Sequence, residues 1–238
     1  SGKGPSSLDC DGCEFNWRDW CAMIRVESDS NFTLRGSGTI EPGGTGGSDP
    51  DFYSALHVRS TVGVQLGGGL RVHCTAWWWC TALHNATDVH VSRLFIDGRT
   101  GRDGMDLVNC RRVLIEDSRI EGSDDALCFK TIIDNRGGQS LAGWAAGNVV
   151  VRRTTLFSTW CNAVQFGSAT ELDMRNFSFR DIVITGARKS AIGIVSMDSA
   201  NISALRFHNV SIHGADVATP LYVKVGNRID GEDNLGHW

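Results

Sequence analysis

The sequence predicts an all-β solenoid in which short strands stack coil upon coil. Seven segments share one pattern, an alternating run of apolar and polar residues, a short polar break and a second apolar pair. Alternation with a period of two is typical of strands with one buried face. Successive segments start 32, 25, 24, 36, 29 and 27 residues apart, and periods of about 20 to 50 residues are typical of solenoids. The segments begin at Asn31, Gly63, Asp88, Arg112, Asn148, Phe177 and Ala204.

The composition agrees with this fold and excludes several classes of protein. The chain of 238 residues has 28 Gly and only 4 Pro. Glycine suits corners that need a positive φ, and proline cannot donate to the ladder between coils. An apolar content of 41% is enough for a core and excludes a disordered chain. The net charge of −4 argues against nucleic-acid binding, and no apolar run is long enough to span a membrane.

We expect one β-helix domain over residues 1–238, truncated at both ends and monomeric. Residues 131–147 lengthen one repeat and are predicted to form a loop that projects from the stack. No signal peptide is visible at the start of the sequence, which does not bear on secretion in a truncated chain. We expect a secreted or periplasmic protein whose signal peptide is not in this chain. The 8 cysteines are interpreted as small buried residues with one or two disulfides. The C-x-x-C at Cys10 and Cys13 has no second ligand pair at zinc spacing.

Two acidic stretches interrupt the strand pattern. GRDGMDLVN contains Asp103 and Asp106, and EGSDDALCFKT contains Asp124 and Asp125. Asp103 and Asp124 are 21 positions apart, close to one coil, so Asp103 is predicted to lie beside the Asp124/Asp125 pair. Converging like charges raise at least one pKa, which is what a general acid needs. Such a cluster fits glycoside hydrolysis, which uses one protonated and one ionised carboxyl group.

Two other interpretations of these carboxylates stay open. Aspartates next to glycine often cap turns, and clustered carboxylate oxygens also suit Ca²⁺. The D-G-x-D stretch, followed one coil later by S-D-D-A, favours chemistry, because folding alone does not favour crowded like charges. We expect the chemistry to need no metal and no other cofactor.

At these residues the chain resembles glycoside hydrolase family 28, the polygalacturonases and their relatives. That family carries N-T-D-G, then G-D-D-C-x-A-x-K, then G-H-G, then R-I-K. GRDGMD resembles the first motif and GSDDALCFKT the second, in the same order and at similar spacing. FTLRGSGTI, TAWWWCTALHNATDVHVSRLFI and TPLYVKVGNR are also similar to family segments, so the resemblance covers residues 31–228.

The resemblance implies a right-handed, single-stranded parallel β-helix and an inverting hydrolase. Asp124 matches the general acid of the family, and Asp103 and Asp125 match the carboxylates that hold the attacking water. An inverting pair leaves room for that water, at about 6.5–9.5 Å. Asp106 also matches a family position, but strand alternation predicts that its side chain points away from Asp103. We therefore expect a structural role for Asp106.

The chain departs from the family at two motifs. Asn162 stands where the histidine of G-H-G would be, and asparagine can bind a sugar or orient a carboxylate but cannot relay a proton. The R-I-K motif corresponds to SAIGIVSMDS, which contains neither Arg nor Lys. In the family those cations hold the galacturonate carboxylate. We therefore expect a divergent bacterial enzyme acting on a galacturonate- or rhamnogalacturonan-containing plant cell-wall glycan.

Further residues are predicted to bind the polysaccharide or oligosaccharide substrate. Lys130 shares strand parity with Asp124, and Lys224 and Arg228 could supply the missing positive charge. Gln165 lies near Asn162 in the same strand, and Trp160 offers an aromatic face for a sugar.

Two other functions remain as alternatives. A polysaccharide lyase or epimerase on the same fold would need Ca²⁺ or a cationic group beside the uronate, and a base for the C5 proton. A non-catalytic glycan-binding β-helix, such as an adhesin or a tailspike-like stalk, agrees with the missing His, Arg and Lys. The retained spacing of the three aspartates argues against that second alternative.

Overall fold

The structure, a computed structural model, consists of parallel strands and contains no helix among the residues it describes. It confirms the predicted parallel β-helix. The described residues are 22–41, 54–74, 79–100, 102–133, 144–214 and 216–226. Within these ranges no helix is long and apolar enough to cross a membrane.

The strands of the described residues follow one another in repeating sets. In chain order they are β1 Ala22–Glu27, β2 Thr33–Arg35, β3 Thr39–Ile40, β4 Ser54–Arg59, β5 Val62–Gly67, β6 Arg71–His73, β7 Thr81–His84, β8 Thr87–Ser92, β9 Phe95–Gly98, β10 Met105–Val108, β11 Arg111–Glu116, β12 Arg119–Gly122, β13 Leu127–Thr131, β14 Ala146–Ser158, β15 Asn162–Thr170, β16 Met174–Ala187, β17 Ser190–Ser196, β18 Ile202–Ile212 and β19 Thr219–Val225.

Three columns of strands enclose the core. One column, which we call the floor sheet, has the order β1-β4-β7-β10-β13-β15-β17-β19. A second column runs β2-β5-β8-β11 onto the first half of β14, and a third runs β3-β6-β9-β12 onto its second half. The long strands β16 and β18 then continue both columns.

All seven predicted segments lie in the second and third columns, and none lies in the floor sheet. Their alternation is visible because one face of these columns meets solvent, as in β8 and β11. In the floor sheet every residue of β4, β7 and β10 is buried. Strands buried on both faces do not alternate, which is why the pattern did not reveal them.

The corners correct the prediction that glycine supplies the positive φ angles. Among the described residues, sixteen non-glycine residues have φ between 48° and 69°, against eight glycines with positive φ. Asp88, Arg112, Asn148 and Asn176 occupy one register position on successive coils. Asn176 Nδ2 donates to Asn148 Oδ1 over 2.8 Å. Asparagine and aspartate tolerate the left-handed region, and stacking their side chains compensates part of the strain.

The core is apolar and contains a cluster of phenylalanines. The ring centroids of Phe129 and Phe166 are 5.1 Å apart, and Phe177 lies 5.0 Å from Phe166. Cys74 and Cys80 form a disulfide, as the expectation of one or two allowed. Cys10 and Cys13 lie outside the described residues.

The predicted loop at 131–147 is shorter than expected, because Thr131 still belongs to β13 and Ala146 already belongs to β14. Residues 134–143 lie outside the described part of the chain. At the end of the loop the indole of Trp144 donates to the Asn109 carbonyl oxygen over 3.0 Å, and the Arg111 guanidinium lies 4.0 Å from its ring centroid. This end of the loop packs against the coils.

Candidate active site

A cleft of about 680 Å³ lies on the outer face of the floor sheet, next to β13, β15, β17 and β19. Its walls include all three predicted catalytic aspartates, Asp103, Asp124 and Asp125. Of the predicted binding residues, the walls include Lys130, Asn162, Gln165 and Lys224.

The three aspartates meet because they lie just before neighbouring strands. Met105 of β10 pairs with Leu127 of β13, so the residues before the two strands are also neighbours. The Asp125 backbone N–H donates to Asp103 Oδ1 over 3.2 Å. This confirms the prediction that one coil separates Asp103 from the Asp124/Asp125 pair. The turn requires glycine at Gly122, because a Cβ there would overlap the Asp125 carbonyl oxygen.

Asp125 lies at the base of the cleft and favours its protonated form. Its Oδ1 accepts from the Asn162 backbone N–H at 3.1 Å and from Asn162 Nδ2 at 2.9 Å. Burial, followed by the charge of Asp103, raises the pKa of Asp125 to about 7, although Lys130 and the Asn162 hydrogen bond act in the opposite direction.

Asp124 is more open to solvent. About 35% of its side chain is exposed, and Arg102 Nη2 lies 3.2 Å from Asp124 Oδ2. The Ser158 hydroxyl donates to its backbone carbonyl oxygen. A carboxyl group in this position can reach a ligand in the cleft.

Asp106 corrects a prediction of the strand pattern, because it does not point away from Asp103. Its carboxyl group is fully buried and contacts Lys130, which also lies 3.0 Å from Asp103 Oδ2. Asp103 precedes β10 and its side chain is therefore not bound by the alternation of that strand. Lys130 thus joins two carboxyl groups under the cleft.

The ammonium group of Lys130 binds other side chains of the protein. Besides both aspartates it contacts Cys128 Sγ at 3.0 Å, and it lies 4.0 Å from the ring centroid of Trp79. An ammonium has three N–H donors, and Asp103, Asp106 and Cys128 occupy them. A ligand would have to displace one of the partners.

Asn162 and Gln165 lie in the floor of the cleft and are 3% and 5% exposed. Asn162 Nδ2 also lies 2.9 Å from Gln165 Oε1, and the Ser190 hydroxyl donates to Asn162 Oδ1. Gln165 Nε2 donates to the Phe166 carbonyl oxygen over 3.2 Å. Of the two roles considered for Asn162, this network fits the orientation of a carboxylate.

The remaining predicted binding residues differ in position. Lys224 lies in the wall of the cleft, two strands along from β15 in the floor sheet. Trp160 is 62% exposed outside the cleft walls, with the Arg188 guanidinium 4.4 Å from its ring centroid. Arg228 lies outside the described residues.

The residues that line the cleft and that the sequence interpretation missed include Trp79, Arg102 and Lys189. Arg102 directly precedes Asp103, so its position next to the acidic cluster was a usable signal. Lys189 comes from the turn before β17, and no motif marks it. Trp79 belongs to a run of three tryptophans whose strand parity was ambiguous.

Two groups of side chains in the described residues have the donor types of a metal site. Asp103, Asp106 and Cys128 form one group, and each offers an atom within 4.8 Å of the others. Lys130 already supplies positive charge there. The second group, at the same spacing, is Asp124, Asp125 and Cys161. Two carboxylates and a thiol are a poor set for Ca²⁺, which prefers six to eight oxygen ligands.

Comparison of the chain with protein-family models, curated proteins and solved structures found no match. Membership of glycoside hydrolase family 28 therefore stays a prediction from the motifs.

Proposed function

We propose that the chain is a glycoside hydrolase that cleaves a pectin-type plant cell-wall polysaccharide with inversion, using Asp103, Asp124 and Asp125. The observation that carries this proposal is the meeting of three carboxyl groups in one open cleft, one with a pKa of about 7 and one partly exposed to solvent. Crowding of carboxyl groups is costly for folding and useful for acid–base chemistry.

The roles follow from exposure and hydrogen bonding. Asp124 donates its proton to the glycosidic oxygen of the leaving sugar. Asp103 and Asp125 hold a water molecule, whose oxygen attacks the anomeric carbon while its proton passes to one of these carboxylates. Asn162 keeps Asp125 in place through two hydrogen bonds.

One of the three carboxyl groups must be protonated for the reaction to proceed. In the substrate-free protein, Asp125 holds this proton below about pH 7. For the reaction, Asp125 must be ionised next to the attacking water, and Asp124 must carry the proton that goes to the glycosidic oxygen. Because burial and Asp103 raise the pKa of Asp125 to about 7, we expect kcat/KM to fall as the pH rises through about 7.

An acidic substrate is supported by the charges around the cleft. Arg102, Lys189 and Lys224 line its walls, and cations of this kind attract the carboxylates of a uronate chain. We expect Lys224→Met to raise KM for an acidic polymer more than for a neutral oligosaccharide, with a smaller change in kcat.

The test is to incubate the full chain with polygalacturonan, rhamnogalacturonan and neutral glycans. New reducing ends and the ultraviolet absorbance of unsaturated products are followed together, with and without EDTA. Asp124→Asn is compared with Asp88→Asn, an exposed carboxylate that pairs with Arg112 on the second column. Reducing ends without unsaturated products, lost only in Asp124→Asn and indifferent to EDTA, support the proposal.

Two results would overturn it. Unsaturated products would identify a lyase. A chain that cleaves none of the glycans, but binds one of them equally well with and without Asp124→Asn, would be a non-catalytic glycan-binding protein.

A further inference from the structure

The buried cluster beneath the cleft consists of Asp103, Asp106, Cys128 and Lys130. Asp106 and Cys128 are paired residues on β10 and β13, and Val108 and Lys130 are the next outward pair. Lys130 can therefore lean back over Asp106 and reach Asp103, which lies before β10. None of the roles proposed above for catalysis uses Asp106 or Lys130.

The charges of the cluster do not balance if both carboxyl groups are ionised. One ammonium would then face two carboxylates, and Asp103 and Asp106 are only 4% and 0% exposed. Asp106 Oδ2 is buried and accepts no hydrogen bond from the described residues. A bare buried carboxylate oxygen is far more costly than a neutral carboxyl group in the same place.

The hydrogen bonds of the two carboxyl groups differ, and they favour a proton on Asp106. Asp103 accepts from Lys130 Nζ on Oδ2 and from the Asp125 backbone N–H on Oδ1, so both of its oxygens have donors. Asp106 has a donor on one oxygen only. Burial and the Asp103 charge raise the pKa of Asp106 well above its usual range, against the opposing effect of Lys130.

We infer that Lys130 and a protonated Asp106 are positioning residues, which hold Asp103 in a fixed orientation beside Asp125. This inference rests on the proposed function for its catalytic meaning, because Asp103 is the carboxylate that holds the attacking water there. Lys130 forms an ion pair with Asp103, and Asp106 holds the ammonium in place without adding a second negative charge. Asp103 in turn is the charge that raises the pKa of Asp125 most.

The experiment is a carbon NMR titration of the Asp125 carboxyl group in the substrate-free full chain. It compares the wild type with Asp106→Asn and Lys130→Met. Because Asp106 is neutral in this scheme, Asp106→Asn should leave the pKa of Asp125 unchanged. Lys130→Met removes a positive charge and should raise that pKa by at least about one pH unit.

Thermal stability gives a second readout that does not depend on the Lys130 variant folding. Glu121→Gln is the matched control, since Glu121 is a buried carboxylate that contacts both Arg99 and Arg119. We expect Glu121→Gln to lower Tm clearly and Asp106→Asn to leave it nearly unchanged.

A lowered pKa of Asp125 in Asp106→Asn would mean that Asp106 is ionised and would overturn the inference. A loss of Tm as large as that of Glu121→Gln, or no change of the Asp125 pKa in Lys130→Met, would also overturn it. The NMR titration and the thermal unfolding need no substrate. If the chain cleaves no glycan, the proposed function is refuted, and these two measurements still test whether Asp106 is protonated and whether Lys130 affects the pKa of Asp125.

Discussion

Replacing Asp125 with asparagine should stabilise the protein, and the gain should grow with pH. The native state holds the Asp125 proton up to a pH of about 7, whereas the unfolded chain releases it near the ordinary value of 3.8. The native state therefore binds more protons than the unfolded state between these two values. By linkage, wild-type stability falls as the pH rises through this window.

The size of the effect follows from the same two pKa values. Their separation of about 3 units corresponds to about 4 kcal/mol, at about 1.4 kcal/mol for each unit. Asp125→Asn lacks this titration and keeps an oxygen that accepts both hydrogen bonds from Asn162. We therefore expect the two proteins to be similar in stability near pH 4. The variant should be more stable by at most about 4 kcal/mol at about pH 8.

Urea unfolding at a series of pH values measures this difference directly. Asp88→Asn is a suitable control, because Arg112 lowers the pKa of that exposed carboxylate and its loss should bring no gain at rising pH. A difference between Asp125→Asn and the wild type that stays flat from about pH 4 to about pH 8 would refute the electrostatic account of the cleft. Such a result would mean that burial and Asp103 do not raise the pKa of Asp125.

Three further predictions concern the scaffold. Phe166→Ala should cost about 3–5 kcal/mol in urea unfolding, because the ring is fully buried in the phenylalanine cluster; a cost below about 1 kcal/mol would contradict this packing. Removing the Cys74–Cys80 disulfide by double substitution to serine should cost about 2 kcal/mol, given the short loop it closes. Reduction of the wild type should lower Tm as much as the double substitution does. Gly67→Ala should cost up to about 3 kcal/mol, because its φ is +118° and a Cβ would overlap the Ser92 carbonyl oxygen. The control Gly38→Ala, where a Cβ meets open space, should be nearly neutral. Equal Tm values for the two variants would contradict a strained corner at Gly67.

The repeat pattern predicted the fold because the second and third columns are half exposed. A strand such as β11 must place Val113 and Ile115 inward, and its other residues remain partly or fully exposed. The floor sheet left no such signal. The outer face of the floor sheet is covered at Asp106 and Ala82, so both faces of the sheet are buried there. The corners were attributed to glycine, yet most positive φ angles belong to other residues.

The candidate site was predicted in part. One coil of separation was enough to bring Asp103 next to Asp125, because parallel coils keep their register. Alternation failed for Asp106, since Asp103 lies outside the strand and is free to turn toward the same side. Lys130 was placed correctly in the cleft, but its three donors are engaged with protein partners.

Residue order alone therefore decides that this chain builds stacked strands and that its acidic stretches fall on adjacent coils. The first follows from local periodicity, and the second from the separation of 21 residues between Asp103 and Asp124, which is close to one coil. Charge state and partner choice depend on burial and on contacts between residues that are distant in sequence. Only the tertiary structure decides that Asp125 keeps its proton, that Asp124 meets solvent and that Lys130 joins Asp103 to Asp106. These differences arise from dielectric surroundings and hydrogen-bond geometry, which neighbouring residues in the chain do not specify.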